Sequence, residues 1–244
     1  MQASRRTMQL RTGSGTFCLV CFAHAGASSH AFKSWLRFLP GDFDVYTVAN
    51  PGRRPDPLLV DGWEPLVESI ALELAELKLA PSVFLGQSMG ALVAFETIRA
   101  LRRFGTVEVR KLIVCGFPGP SALSPAGLSR FSDEEFVARL LSSGSIPQQL
   151  VDNKKLLNLL LPALRTDIAI VDSYAFKPED RPLSCPVIVL AGEADHSVSK
   201  EDLDAWSAMT CGGCSVQRIA GGHVLLETSP AGLARAVMEE VCLP

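Results

Sequence analysis

The chain has 244 residues, of which 48% are hydrophobic and 20% charged, and this composition supports a folded core and excludes disorder as the main state. Its 23 Lys and Arg residues against 26 Asp and Glu residues give a formal net charge of −3, far from the basic balance of proteins that neutralise nucleic-acid phosphates. We therefore expect one main core and no nucleic-acid partner.

The cysteines and the apolar runs indicate in which cellular compartment we expect the protein. Seven cysteines, an odd number without the spacing of a disulfide framework, indicate free thiols in a reducing compartment, and we expect the cytoplasm. Cys18 and Cys21 have a metal-ligand spacing, but a strand through their apolar run would point them to opposite faces, so we expect no metal. No apolar stretch of the sequence is long enough to cross a bilayer, and we expect no membrane partner.

Short apolar runs rich in β-branched residues alternate with longer helical patterns along most of the chain. This alternation is typical of a mostly parallel sheet with helices on both faces, so we predict an α/β fold. The predicted strands are residues 17–22, 43–48, 82–85, 111–115, 187–191 and 215–219. The predicted helices are residues 29–38, 64–79, 88–103, 200–209 and 230–241.

The alternation stops between residues 118 and 182, where the pattern is mainly helical. This predicts a helical lid inserted at 118–182 into a core formed by residues 1–117 and 183–244. One helix begins at Ser132, because Glu135 follows three residues later as in a capping box. A second, near residues 154–174, has leucines on more than one face. Either it packs on the core alone, or its second apolar face lines a pocket for an acyl chain.

The sequence Gly86-Gln87-Ser88-Met89-Gly90 follows a predicted strand and opens a predicted helix, which is where a nucleophile elbow lies. Such a turn exposes the serine hydroxyl and aims the N–H of Met89 at the position of an oxyanion. The alternative is a glycine-rich turn in which Ser88 only caps the helix.

A nucleophilic serine needs a base, and in this architecture the acid and then the histidine follow the nucleophile along the chain. The segment 192–195 follows the strand at 187–191, and the segment 220–223 follows the strand at 215–219. Both segments leave the carboxyl ends of parallel strands, the same edge as Ser88, which indicates Asp195 as the acid and His223 as the base. His196 and Glu193 stay open as alternatives.

The second oxyanion donor in this architecture comes from the loop after the first of these strands. Residues 22–27 form that loop, and its small residues favour the backbone N–H of Ala25 as the donor. His24 is then a structural residue or a residue at the edge of the pocket.

With these segments in place, the chain resembles the type II thioesterases of the α/β-hydrolase fold, the stand-alone editing enzymes of polyketide and non-ribosomal peptide synthesis. The resembling segments, in order, are His24-Ala25-Gly26, Pro51-Gly52-Arg53, residues 86–90, residues 161–165 with Asp167, residues 192–195, and Gly222-His223. The family usually has histidine where this chain has Gln87, and a second glycine where it has Ala27. The resemblance implies the triad Ser88, Asp195 and His223.

The resemblance also implies the activity: hydrolysis of acyl groups from the phosphopantetheine arm of an acyl or peptidyl carrier protein, through an acyl-Ser88 intermediate. This activity would serve editing or release in polyketide, non-ribosomal peptide or fatty acid synthesis. The enzyme would need no cofactor of its own, because the substrate carries the phosphopantetheine. Carrier proteins are acidic, so Arg53 and Arg54 are candidates for docking; the alternative is that they are only an exposed pair in a turn. We expect a monomer. The alternatives are a general carboxylesterase or acyltransferase of the same fold, and a non-catalytic module that binds carrier proteins.

Overall fold

The structure, a computed structural model, describes residues 6–15, 17–50, 63–124, 126–178 and 181–242. Its strands are β1 (Thr7–Arg11), β2 (Cys18–Phe22), β3 (Asp44–Val48), β4 (Ser82–Gln87), β5 (Val109–Cys115), β6 (Val187–Gly192) and β7 (Cys214–Ile219). They form one seven-stranded sheet in the order β1-β3-β2-β4-β5-β6-β7. β1 is antiparallel to β3 and all other neighbours are parallel, which confirms the predicted α/β fold class.

Helices cover both faces of the sheet. They are α1 (Trp63–Glu76), α2 (Met89–Leu101), α3 (Asp133–Ser142), α4 (Gln148–Asp152), α5 (Lys154–Asp172), α6 (Lys200–Asp204), α7 (Leu225–Thr228) and α8 (Pro230–Cys242). The described residues also form the 3-10 helices Trp35–Phe38, Leu128–Arg130 and Ala205–Met209. Among the residues that the structure describes, no helix combines the length and the apolar character that crossing a membrane requires.

The core lies on the two sides of the sheet, and β2 illustrates the arrangement. Val20 and Phe22 point to the side where α1 and α2 pack, whereas Leu19 and Cys21 point to the side of α8. Successive side chains of a strand face opposite ways, so a strand covered on both sides must be apolar throughout, as β2 is. With both faces covered, the loops at the carboxyl ends of the strands are left to form a site.

Two sequence predictions need correction. Residues 29–38 do not form one helix: turns lead into the 3-10 helix Trp35–Phe38. The cause is tertiary, because Trp35 is 1% exposed and its indole Nε1–H donates to the carbonyl of Pro230 at 2.8 Å, which fixes this segment against α8. In addition, β1 was not predicted, and it extends the parallel sheet with one antiparallel strand at the edge next to β3.

The helices α3, α4 and α5 lie between β5 and β6. Ser132 caps α3 as predicted, and its hydroxyl accepts the N–H of Glu135 at 3.3 Å. Residues of α3 and α5 share a small apolar cluster that includes Phe136 and Leu164. Asp167 of α5 is fully buried and accepts the N–H of Gly26 at 2.7 Å. This helical segment therefore has its own apolar contacts and is tied to the loop after β2.

Candidate active site

Ser88 lies in the turn between β4 and α2. Its backbone has φ 54° and ψ −125°, a strained conformation for a residue with a side chain. The glycines on either side permit the turn, since a Cβ on Gly86 would lie 2.4 Å from Cα of Ala91 and one on Gly90 2.1 Å from the carbonyl oxygen of Phe22. The turn has the geometry of a nucleophile elbow.

His223 and Asp195 come to Ser88 from the loops after β7 and β6. Oγ of Ser88 lies 2.9 Å from Nε2 of His223, and Nδ1 of His223 lies 3.0 Å from Oδ2 of Asp195. His223 is 7% exposed and Asp195 is 2% exposed. Burial alone would raise the pKa of Asp195, but the hydrogen bond and charge of His223, with hydrogen bonds from Ser197, hold that pKa below its usual value. The carboxylate is therefore ionised at neutral pH.

The sequence alternatives to these two residues lie elsewhere on the same loop. Glu193 and His196 are both exposed, whereas Asp195 between them is buried beside His223. Arg53 and Arg54, the candidates for docking, lie outside the described residues. Within the described ranges, no group of three or more His, Cys, Asp or Glu side chains is arranged to hold a metal ion.

Sequence reasoning missed Ser197, which touches both members of the acid–base pair. Its Oγ lies 2.6 Å from Oδ1 of Asp195 and 2.9 Å from Nδ1 of His223, and its N–H donates to Oδ1 of Asp195 at 3.0 Å. A serine two residues after a buried aspartate often makes such a local bond, which is the one signal that the sequence offered.

Gln87 is 1% exposed and connects two loops at the site. Its Nε2 donates to the carbonyl of His223 at 2.9 Å and to the carbonyl of Cys115 at 3.3 Å. Because both partners are acceptors, the amide has one possible orientation. Gln87 therefore supports the backbone of His223 directly, at the position where the resembling family usually has histidine.

The two backbone donors of the predicted oxyanion hole flank Ser88. Met89 is the first residue of α2, so its N–H has no partner within the helix. Ala25 lies in the loop after β2 and lines the same small cavity as Ser88. Hydrogen bonds fix the loop on both sides of Ala25. Nδ2 of Asn50 donates to the carbonyl of His24 at 2.5 Å, and the N–H of Gly26 donates to Asp167.

A small cavity and a larger groove meet at the site. The cavity has a volume of about 50 Å³ and is lined by Ser88, Met89 and His223, together with Leu164, Ile168 and Val171 of α5. The groove has a volume of about 850 Å³ and is lined on one side by Leu156, Leu160 and Leu164 of α5. Both are lined by His24, Ala25, Ser145 and Leu164. The side of α5 that carries these leucines thus borders the space that leads to Ser88.

His24 lies where the cavity and the groove meet. Its side chain is 13% exposed, and its Nε2 lies 3.7 Å from Oε1 of Glu227. Burial, and secondarily the neighbouring His223, lowers the pKa of His24 to about 4. The imidazole is therefore neutral at neutral pH, and its buried Nδ1 has no hydrogen-bond partner among the described residues.

A strained serine after a central strand, followed in chain order by a buried aspartate and a histidine on the loops of later strands, defines the class of this protein as an α/β-hydrolase. Within that class, the thioesterase domain family matches residues 17–240, and the chain belongs to this family. It is a hydrolase that acts on thioester bonds.

Relatives and solved structures agree with this assignment. The gramicidin S biosynthesis protein GrsT of Aneurinibacillus migulanus is 32% identical over 214 residues, which cover 86% of this chain and 83% of the relative. The type II thioesterase BorB from the borrelidin biosynthetic cluster superposes with a TM-score of 0.85 at 29% identity over 99% of both chains. YbtT, a type II thioesterase from the yersiniabactin NRPS/PKS pathway, gives a TM-score of 0.75 at 30% identity over 97% of this chain and 96% of its own. The predicted resemblance to type II thioesterases is confirmed.

Proposed function

We propose that this protein removes acyl groups from the phosphopantetheine arm of an acyl or peptidyl carrier protein in polyketide or non-ribosomal peptide synthesis, through an acyl-Ser88 intermediate. The observation that carries the mechanism is the distance of 2.9 Å between Oγ of Ser88 and Nε2 of His223, with Asp195 on the other ring nitrogen. The biosynthetic setting is supported by relatives that are described as a gramicidin S biosynthesis protein and as a type II thioesterase from an NRPS/PKS pathway.

The first half of the reaction transfers the acyl group to the enzyme. His223 Nε2 takes the proton of Ser88 as Oγ attacks the thioester carbonyl carbon, and the carbonyl oxygen becomes an oxyanion. The N–H groups of Met89 and Ala25 stabilise this oxyanion. When the carbon–sulfur bond breaks, His223 returns its proton to the leaving thiolate, so the carrier departs with a free thiol and the acyl group stays on Ser88 as an ester.

The second half releases the acid. His223 takes a proton from water, the resulting hydroxide attacks the ester carbonyl, and the proton passes to Oγ of Ser88 as the acyl–oxygen bond breaks. Asp195 keeps the imidazole in the tautomer with the proton on Nδ1 and stabilises the imidazolium in both halves. The chain supplies all the proton-transfer groups, and the phosphopantetheine belongs to the substrate.

The acyl chain lies along the apolar side of α5 in this proposal. Leu156, Leu160 and Leu164 line the groove, and Leu164 also lines the cavity beside Ser88. Leu156 is 41% exposed, so its apolar side chain is accessible to a ligand in the groove. The docking of an acidic carrier by Arg53 and Arg54 stays a prediction, because both residues lie outside the described ranges.

The test replaces the nucleophile. We expect Ser88→Ala to lower the rate of acyl release from a carrier protein by at least about 1,000-fold, because the reaction loses its covalent intermediate. Ser207→Ala, at an exposed serine of the 3-10 helix Ala205–Met209, is the matched control and should keep full activity. Circular dichroism verifies that both variants are folded. Turnover by folded Ser88→Ala at the rate of the control would reject the mechanism.

The same assay separates the carrier-protein thioesterase from a general esterase. The wild-type protein is given one acyl group on a carrier protein and the same acyl group on free pantetheine. We expect a clearly higher kcat/KM for the carrier-bound substrate, since docking adds binding energy remote from the reacting bond. Equal values for the two substrates would leave the serine mechanism intact and reject the carrier protein as the partner.

A further inference from the structure

The hydroxyl of Ser197 closes a triangle with the acid–base pair. Its Oγ lies 2.6 Å from Oδ1 of Asp195 and 2.9 Å from Nδ1 of His223, while Nδ1 lies 3.0 Å from Oδ2 of the same carboxylate. The N–H of Ser197 adds a third bond, to Oδ1 at 3.0 Å. One residue thus bonds twice to the carboxylate and once to the imidazole.

The directions of these bonds follow from the chemistry. For Nε2 of His223 to accept the proton of Ser88, the neutral ring must carry its own proton on Nδ1. That N–H then donates, and its acceptors are Oδ2 of Asp195 and Oγ of Ser197. Because Oγ of Ser197 accepts from the ring, its own proton points to Oδ1 of Asp195. Each N–H and O–H of the triangle then has an acceptor, whereas the opposite tautomer would leave Nδ1 and Oδ2 facing each other as two acceptors.

We propose that Ser197 is a positioning residue for the thioesterase reaction, whose hydroxyl holds the Asp195 carboxylate and the His223 ring in one plane and in one tautomer. The proposal rests on the proposed roles of Ser88, Asp195 and His223. The acceptor at Nδ1 gains importance when the ring becomes an imidazolium, since a hydrogen bond from a charged donor is about twice as strong as one between neutral groups. Ser197 therefore lowers the barrier more than it affects substrate binding.

The position of Ser197 suits a mutational test. The residue is exposed, so replacing its side chain leaves the core unchanged, whereas Asp195 and His223 are buried. Thr and Val have nearly the same shape, and only Thr keeps a hydroxyl. Comparing Ser197→Thr with Ser197→Val therefore isolates the hydroxyl from the volume of the side chain.

We expect Ser197→Val and Ser197→Ala to lower kcat about tenfold, which corresponds to about 1.4 kcal/mol in the barrier, with KM unchanged. Ser197→Thr should stay within about twofold of the wild type. The Nδ1 proton of His223, followed by proton NMR, should shift in Ser197→Val and keep its wild-type position in Ser197→Thr. Equal kcat values for the Thr and Val variants, or a loss expressed only in KM, would overturn the proposal.

Ser88→Ala is measured in parallel so that two failures are told apart. If Ser88→Ala retains turnover, the proposed function itself fails. If Ser88→Ala is inactive and the Thr and Val variants have equal kcat values, or lose activity only through KM, only the role of Ser197 is rejected.

Discussion

Gly116, the residue after β5, is a part of the site that carries no side-chain chemistry. Its φ is +60°, and a Cβ there would lie 3.0 Å from the carbonyl oxygen of His223 and 3.1 Å from Oδ2 of Asp195. These distances are shorter than ordinary carbon–oxygen contacts, so a side chain would push on the acid and the base together. The close packing of Asp195 and His223 thus requires a residue without a Cβ atom at position 116.

We expect Gly116→Ala to lower kcat/KM at least tenfold, because the added methyl group displaces Asp195 or His223 from its hydrogen bonds. Gly105→Ala is the matched control: Gly105 has nearly the same backbone angle, φ +62°, but nothing lies within 4 Å of its Cβ position. Both variants should lose about 1 kcal/mol of stability from the left-handed backbone. Equal activity of the two variants would contradict the prediction, because it would mean that the added methyl group displaces neither Asp195 nor His223.

At the scale of whole elements, a buried hydrogen bond connects α5 to the loop after β2. Asp167 is fully buried on α5, 141 residues away along the chain from Gly26, whose N–H it accepts at 2.7 Å. The same loop carries Ala25, the proposed oxyanion donor. We therefore expect the helical segment to influence the proposed reaction through this backbone hydrogen bond as well as through the leucines of the groove.

We expect Asp167→Ala to cost about 1–3 kcal/mol of unfolding free energy, since it removes the acceptor of a buried N–H, and to lower kcat as the loop with Ala25 loses support. Asp172→Ala is the control on the same helix: the Asp172 carboxylate accepts the N–H of Ser129 at 2.8 Å, away from that loop. It should cost stability without lowering kcat. Urea unfolding and steady-state kinetics measure both quantities, and a similar fall of kcat in the two variants would contradict the coupling.

The stability of the whole molecule should depend on pH through His24. Burial lowers its pKa from 6.5 to about 4, so between these values the unfolded chain binds a proton that the folded chain does not. The contribution of neutral His24 to the free energy of unfolding is fully present above pH 6.5. It decreases as the pH falls toward 4, by up to about 3 kcal/mol. Although burial alone would raise the pKa of Asp195, the hydrogen bond and charge of His223 lower it, so Asp195 adds a further loss of stability in more acidic solution. Glu227, beside His24, has a raised pKa from burial and opposes the effect of His24.

Unfolding by urea at pH 7 and pH 5 measures this dependence. Wild type should be less stable at pH 5, and His24→Asn should reduce the difference because Asn does not titrate. His30→Asn, at an exposed histidine, should keep the wild-type difference. An unchanged pH dependence in His24→Asn would locate the responsible group elsewhere.

The sequence predicted what depends on local pattern. Among the parallel strands, β2, β4, β5 and β6 contain apolar runs. The chain order of nucleophile, acid and base is a property of the architecture, so the sequence alone indicates Ser88, Asp195 and His223. The antiparallel β1 was missed, because its residues are half-exposed at an edge and lack that apolar signature. The helix predicted at residues 29–38 was wrong because the anchoring of Trp35 against Pro230 overrides local helix propensity.

The contacts of Ser197, Gly116 and Gln87 could not be predicted for a different reason. Each of these residues matters through distances to His223, which is 26 residues from Ser197 and 136 residues from Gln87 along the chain. A single serine, glycine or glutamine forms no sequence motif that would indicate a contact with such a distant residue. Gln87 and Ser197 lie close to Ser88 and Asp195 along the chain, but only the folded loops bring them to His223.

The order of the strands also has a consequence for folding. Ser88 follows β4 in the middle of the sheet, whereas His223 follows β7 at its edge, and the two residues are 135 positions apart. Pairing over such long separations is slow, since the chain loses loop entropy before it gains contacts. A chain in which only β2 to β5 had paired would thus contain Ser88, the proposed nucleophile, without His223, its proposed base. On the proposed mechanism, the chain hydrolyses thioesters only after β7 has joined the sheet, so we expect recovered activity to report complete folding of the sheet.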